Sequence, residues 1–367
     1  MIPLFQPSHD RAEAEAVSRV LTSHWLGRGK EVAEFEKEFA AYLKLPSTQT
    51  VISTNSCTSA LVLALKALKI GPGDDVIVPT LTFVATAQAV YEVGANPIFS
   101  DIDGETLMLT PKTIEEVKTD KTKAVISVNL YGRQNKAMRG YSECPVIEDC
   151  AHSAGATLNC VKSGASGNIA CFSFHAVKNL SCGDGGAVVL PSELAEWARS
   201  FSWHGISKNT FERTTEQRYK PDYDLIEVGK KLHWNDLLAA VGREQLRKLY
   251  TQNHKRKVIA EYYTLELATI AELILPAEDT LTDVSSWHIY AIMCPRRNEL
   301  KQYLSERGIC TGIHYRPLHT FAALQYDGLQ LIEAEAVYAE LLSLPMFPDM
   351  SLEQFQTVVA AIKEFYK

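Results

Sequence analysis

Seven short apolar, β-rich runs alternate with helix-like segments through the first two thirds of the 367-residue chain, and this alternation constrains the fold more than any one motif. The runs are TVIST (50–54), DVIVP (75–79), NPIFSDID (96–103), AVISVNLYG (124–132), PVIED (145–149), IACFSFH (169–175) and GAVVL (186–190). Between several of them lie helical patterns such as TSALVLALKAL (58–68) and TFVATAQAVYEV (82–93). Strands that are apolar along their whole length have both faces covered, so the pattern predicts a mostly parallel sheet between helices. The expected class is α/β.

Near Gly242 the pattern changes. NDLLAAVGREQLRKLYTQNHKRKVIAEYYTLEL (235–267) reads as a long helix with a polar face, and LEQFQTVVAAIKEFY (352–366) as a final amphipathic helix. WHIYAIMC (287–294) and GIHYRPL (312–318) are the strand candidates between them. The chain divides, on this reading, into a large α/β domain over 1–245, with N-terminal helices, and a smaller C-terminal α+β domain over 246–367.

Composition narrows the partners. A net charge of -7 argues against nucleic acid or an anionic membrane, both of which demand a basic face. The N-terminus lacks the basic-then-apolar pattern of a signal peptide, and no apolar run approaches the roughly 18 residues of a membrane span. The expected location is therefore cytoplasmic. The eight cysteines form no CxxC pair and no metal-like Cys/His cluster, so they read as core thiols.

In an α/β sheet, function collects in loops beyond the carboxyl ends of the strands. Three such loops carry unusual chemistry. STNSCTSAL (53–61) runs from strand to helix and places Thr58 and Ser59 at a helix N-terminus, which is either an anion site or an ordinary cap. VIEDCAHSAGA (146–156) ends a buried strand in Glu148 and Asp149, and a carboxylate there must be solvated, paired or aimed at a ligand. CFSFHAVKNLSCGDGGAVVL (171–190) sets Lys178 between an apolar run and a glycine-rich turn. A lysine, a strand-end carboxylate and a hydroxyl-rich helix N-terminus are together the three groups that pyridoxal phosphate needs.

At this point the sequence resembles a known family. SFHAVKNLSCGDGGAVV is similar to the lysine motif of the DegT/DnrJ/EryC1/StrS sugar aminotransferases, within fold-type I of the pyridoxal-phosphate-dependent transferases. LTSHWLGRGKEVAEFEKEFAAYL (21–43), VPTLTFVATAQAVYEVGANPIFSDID (78–103), IEDCAHSAGA (147–156), NDLLAAVGREQL (235–246) and GIHYRPLH (312–319) fall in that family's order. The resemblance thus spans nearly the whole chain and implies a seven-stranded sheet.

It also implies roles. Lys178 would bond the cofactor's aldehyde carbon and later shuttle a proton. Asp149 would keep the pyridine nitrogen protonated, His152 would hydrogen-bond the phenolic oxygen, and Phe83 would stack on the ring. Thr58, Ser59 and Ser173 would bind the phosphate. Trp25, Gly27 and Arg28 of WLGRGK, with His314, Tyr315 and Arg316 of HYRP, would contact a nucleotide-linked keto-hexose. L-glutamate would be the amino donor, and carbon 4 or carbon 3 of the sugar the acceptor. The partners implied are these two small molecules and a second copy of the chain, in a homodimer with shared active sites.

Some positions depart from the family pattern. GKKLHWND (229–236) has Lys231 where relatives carry an asparagine that reaches the neighbouring subunit's cofactor phosphate, and His233 where they carry arginine. Lys231 can serve there as a point charge. Asn129 stands where histidine is common and Cys57 where glycine is common. The competing reading is a cofactor-binding regulatory or sensory protein of the same fold without turnover. The complete set of Lys178, Asp149 and His152 favours the enzyme, because binding alone needs no proton shuttle.

Overall fold

The structure is a computed structural model and describes residues 1–207, 223–324 and 329–367. Each of the seven apolar runs contains a strand: β1 (Gln49–Thr54), β2 (Asp75–Pro79), β3 (Asn96–Ser100), β4 (Thr122–Val128), β5 (Val146–Asp149), β8 (Ile169–Ser173) and β9 (Gly186–Pro191). A two-residue pair, β6 (Thr157–Leu158) and β7 (Val161–Lys162), forms a separate hairpin between β5 and β8. The seven make one sheet in the order β1-β9-β8-β5-β4-β2-β3. Pairings are parallel except the two made by β9, which runs antiparallel to both β1 and β8.

Why the strands carry apolar runs is now plain. Every residue of β2, β5 and β8 is buried. On one face pack α3 (Cys57–Ala67) and α4 (Ala85–Glu92), with Leu61, Leu63, Leu65 and Val90 in a cluster shared with Val76, Val78 and Ile126. On the other face lie α2 (Lys30–Leu43), which follows α1 (Arg11–Thr22) in the chain, and the first half of a 32-residue helix, Asp236–Leu267. Phe35, Phe39 and Leu249 there share a cluster with Phe172, Phe174 and Trp234.

The long helix serves two cores. Its second half contributes Ile259, Tyr263 and Leu267 to a cluster with Tyr290, Ile292, Leu342, Leu344 and Ile362. The 245/246 division therefore falls inside a continuous helix, Asp236–Leu267, whose two halves join different clusters. The smaller core is built on β10 (Tyr290–Met293), paired antiparallel with β11 (Leu341–Leu344), and on the final helix Leu352–Phe365.

WHIYAIMC does contain a strand, but GIHYRPL does not. Only Gly312 bridges β11, exchanging two backbone hydrogen bonds with Ser343 at 3.1 and 2.8 Å. Pro317 has no N–H to continue a ladder, and the Leu318 N–H goes instead to the carbonyl of Thr80 at 2.8 Å. His314 and Tyr315 are thereby held on an irregular loop beside the end of β2. Among the described residues, no helix is long and apolar enough to cross a membrane.

Candidate functional site

The carboxyl ends of β1, β2, β4, β5 and β8 open onto a cavity of about 320 Å³. This volume lies at the lower end of the range that takes small molecules. Lys178, Asp149, His152, Phe83, Thr58, Ser173, His314 and Tyr315 all line it. Their loops come from widely separated parts of the sequence.

Lys178 stands on the connection of the β8–β9 hairpin. That connection is held shut by hydrogen bonds from Phe174 N to Gly185 O, Ala176 N to Gly183 O and Cys182 N to Phe174 O, at 2.8–3.0 Å. The glycines are required by contact as well as by turn geometry. A Cβ on Gly186 would lie 2.5 Å from the backbone of Ser56, and Gly185 has φ +141° with Trp234 against it. The same glycines therefore bring the start of α3 against the lysine loop.

Asp149 ends β5 and is almost wholly buried. Its Oδ1 accepts from Ala151 N at 3.1 Å and its Oδ2 from the Thr86 hydroxyl at 3.2 Å, with the Cys57 thiol 3.9 Å from Oδ1. Burial pushes its carboxyl above the ordinary carboxylate range, opposed by the Ala151 N–H, the charge of Lys178 and the Thr86 and Cys57 donors. Burial also pulls Lys178 down to about 8, with the charge of Asp149 opposing. One cavity thus holds a lysine with an accessible neutral form and a carboxylate surrounded by donors.

His152 is buried and neutral, its titration pushed far down first by burial and then by Lys178. The Tyr131 N–H points at Nδ1 from 3.4 Å, which leaves Nε2 to carry the proton. Nε2 faces the Tyr315 hydroxyl at 3.0 Å. Phe83 is 56% exposed, and among the described residues the Tyr315 ring stands 5.9 Å away on one side, so a face of Phe83 is open to a flat partner.

The helix N-terminus is capped by a residue other than those expected. Ser56, not Thr58 or Ser59, is the N-cap of α3 and accepts from Ser59 N at 3.1 Å. The Ser59 hydroxyl is committed to Asn55 Oδ1 at 2.6 Å, and Ser59 does not line the cavity, whereas Thr58 and Ser173 do.

Five more expected residues lie outside that lining. Arg28 turns its guanidinium onto buried Glu36 at 3.4 Å, and Trp25 Nε1 donates to the Arg28 carbonyl at 3.1 Å. Gly27 accepts from Asp236 N at 3.0 Å, while the Asp236 carboxylate accepts from the N–H groups of Gly29, Glu31 and Val32. WLGRGK is thereby anchored to the start of the long helix. Arg316 folds back on Thr320 at 2.8 and 2.6 Å and lies over the Phe321 ring. Lys231 is exposed, with its ammonium 5.9 Å from the Trp203 ring. It adjoins the α3 loop, because Asn55 N donates to Leu232 O at 2.6 Å.

Sequence reading missed His288 and Asn179. His288, inside the run WHIYAIMC, brings Nε2 to 3.5 Å from Lys178 Nζ, and its Nδ1 lies 2.9 Å from Asn179 Oδ1. A lone histidine at the edge of an apolar run is the only signal the sequence carries, and a core histidine gives the same one.

The donor set fits pyridoxal phosphate: an amine and a carboxylate facing one cavity, an N–H donor at His152, an open aromatic face, and a capped helix start with hydroxyls beside it. Comparison with known proteins agrees. Residues 7–363 match the model of the DegT/DnrJ/EryC1/StrS aminotransferase family. The aminotransferase TlmJ from Streptoalloteichus hindustanus is 32% identical, with TM-score 0.90 over 99% of this chain and 98% of its own. DesV of S. venezuelae, solved in complex with a ketimine intermediate, is 34% identical, with TM-score 0.88 over 97% and 94%. The candidate sugar aminotransferase Spr1654 of Streptococcus pneumoniae in its PMP form is 28% identical, with TM-score 0.90 over 99% and 98%, and it is also known in a PLP form.

Proposed function

The chain belongs to the DegT/DnrJ/EryC1/StrS family of pyridoxal-phosphate-dependent aminotransferases, and from that premise we propose that it moves the amino group of L-glutamate onto a nucleotide-linked keto-hexose, at carbon 4 or carbon 3. The products are a nucleotide-linked aminosugar and 2-oxoglutarate. The observation that carries this reading is the convergence of Lys178, Asp149 and His152 on one cavity.

When bound, the cofactor supplies an electron sink for the carbon that gains or loses the amino group. The chain's own groups do the rest. Lys178, with a neutral form accessible near neutral pH, is the covalent anchor and then the proton carrier at the reacting carbon. Asp149 holds the proton of the pyridine nitrogen, and its three donors favour its ionised form against its burial. His152 offers Nε2–H to the phenolic oxygen, and Phe83 covers a ring face. Thr58, Ser173 and the start of α3 take the phosphate.

His314 and Tyr315 meet the sugar, since they line the same cavity, with Tyr315 beside Phe83 and His152. The working unit is a homodimer in the cytoplasm, in which Lys231 reaches the phosphate of the neighbouring site and the product feeds a glycan such as lipopolysaccharide O-antigen. The test is to supply purified protein with cofactor, glutamate and a panel of keto-sugar nucleotides, and to identify aminated products by mass. Borohydride reduction and peptide mapping should place the cofactor label on Lys178. Failure of glutamate to alter the bound cofactor's absorbance would overturn the proposal in favour of a binding protein without turnover.

A further inference from the structure

His288 comes to Lys178 from the smaller domain, just before β10, and its ring is held by contacts with Phe5, His152 and Asn179. Its ring stacks on Phe5 with centroids 5.6 Å apart and an interplanar angle of 7°, and meets the His152 ring at 4.5 Å. Its Nδ1 lies 2.9 Å from Asn179 Oδ1, and Asn179 follows Lys178 directly in the chain.

The tautomer follows from the hydrogen bonds. Asn179 Nδ2 lies 2.7 Å from the carbonyl of Ser286, which can only accept, so the amide nitrogen must face it. The same nitrogen donates to Asn253 Oδ1 at 2.7 Å, and Asn253 in turn donates to Ala154 O at 2.9 Å. The amide oxygen of Asn179 is therefore the atom facing His288 Nδ1. An amide oxygen accepts, so Nδ1 carries the ring proton. Burial, then Lys178, push the titration of the ring far down and hold it neutral, which leaves Nε2 with a lone pair. That lone pair faces Lys178 Nζ at 3.5 Å.

We propose that His288 is a positioning residue for Lys178, locked by Asn179 in the tautomer that accepts one N–H of the lysine amine. The proposal rests on Lys178 being the anchor lysine. Lysine carries its amine on a flexible four-carbon stem, and a free amine would sample many positions. With one N–H of the neutral amine held by Nε2, its lone pair is left to face the cavity, so orientation is supplied before reaction. The asparagine next to the lysine thereby gains a purpose. It links the lysine loop to a histidine 109 residues further along the chain and to the long helix through Asn253.

Titrating neighbours bear on the test. Asp149 and Cys57 act on Lys178, and Lys178, His152, Arg256 and His314 act on His288. All except His288 itself are kept constant by substituting only that residue. The first measurement needs no variant: nitrogen-15 spectra of the full-length cofactor-free protein at pH 7 should show His288 protonated at Nδ1 and bare at Nε2. The opposite tautomer, or a doubly protonated ring, overturns the proposal.

The second measurement follows acetylation of Lys178 by trace acetic anhydride against pH, read by peptide mapping. A hydrogen bond to the ammonium favours the charged form, so His288→Phe, which keeps a flat ring against Phe5, should lower the labelling midpoint by about one pH unit. His288→Gln, whose amide oxygen can accept, should restore most of that shift. An unmoved midpoint in His288→Phe, or equal shifts in both variants, overturns the proposal. Borohydride labelling of a lysine other than Lys178 would instead defeat the functional reading, so the two failures are distinguishable.

Discussion

His152 Nε2 stands 3.0 Å from the Tyr315 hydroxyl, while the Tyr131 N–H occupies the neighbourhood of its other ring nitrogen at 3.4 Å. Two loops far apart in sequence thus settle which nitrogen donates. If Nε2–H is the donor to the cofactor's phenolic oxygen, then His152→Phe should weaken cofactor binding about tenfold, the loss of one net hydrogen bond. Tyr315→Phe removes only a competitor for that donor and should leave cofactor affinity within about threefold. Absorbance titration of cofactor-free protein compares the two. Weakening by Tyr315→Phe with His152→Phe near wild type would show that Tyr315, not His152, makes the contact.

The donors around Asp149 set a second expectation. Asp149→Asn should still bind cofactor but lose turnover by about 10²-fold or more, because a neutral amide cannot hold the pyridine proton as a carboxylate does. Thr86→Val removes one donor 3.2 Å from Oδ2 and leaves the Ala151 N–H in place, so it should cost about tenfold. Near-normal turnover in Asp149→Asn would mean that the carboxylate only shapes the loop.

Why these groups were legible in the sequence, and others were not, has a physical basis. A strand covered on both faces is apolar through its middle, as in β2 and β8, and β5 departs from this only in the carboxylates at its end, so the strands announce themselves. A lysine beside a glycine turn and a carboxylate at a strand end are costly where they stand, so each signals chemistry. His288 and Asn179 give no such signal, because their meaning lies in a contact between residues 110 positions apart. Arg28 reads as a free cation until its partner Glu36 is seen. GIHYRPL reads as a strand by its β-prone residues, but the Leu318 N–H bonds Thr80 and turns the segment into a loop. The short β11 follows the helix Ile332–Glu340 without a break, and its apolar run is as consistent with helix as with strand.

Arg28 leads to a third prediction. Its guanidinium shares buried Glu36 with Arg199, which lies 2.8 Å away, and with the Ser53 N–H and hydroxyl. Burial raises the Glu36 carboxyl, and Arg28 is the leading influence against it. Arg28→Ala should therefore cost about 1–2 kcal/mol in urea unfolding, less than a wholly broken buried pair because Arg199 remains. The KM for a nucleotide sugar should change by less than about threefold. A tenfold rise in KM at unchanged stability would return Arg28 to the substrate.

Lys231 makes a fourth. If its ammonium completes the neighbouring subunit's phosphate site, Lys231→Ala and Lys178→Ala homodimers should each be defective, in both of their sites. A mixed dimer would pair the intact Lys178 of one subunit with the intact Lys231 of the other, giving one site without a lesion. Mixing the two proteins under conditions of proven subunit exchange should restore up to a quarter of the wild-type activity, roughly what random pairing yields. No recovery would confine Lys231 to its own subunit.

The last prediction concerns what Lys178 costs the fold. Burial places its titration at about 8 in the folded chain, against about 10.4 for a free lysine. Below pH 8 the amine is charged in both folded and unfolded chains, so the full penalty of burying the ammonium is present. Between about 8 and 10.4 the folded chain binds fewer protons than the unfolded one, and stability rises with pH through that window. Above it the amine is neutral in both, and the penalty is gone. Replacing the ammonium by an apolar chain of similar length, Lys178→Met, should therefore stabilise the cofactor-free protein at pH 7 by about 1–3 kcal/mol. The advantage should shrink steadily from pH 8 upward as the wild type sheds its proton. Thermal unfolding of both proteins across pH 7–10 measures the difference. A variant less stable than wild type at pH 7, or an advantage that does not change with pH, would show that the ammonium is solvated in the folded chain and is not held as a reactive amine.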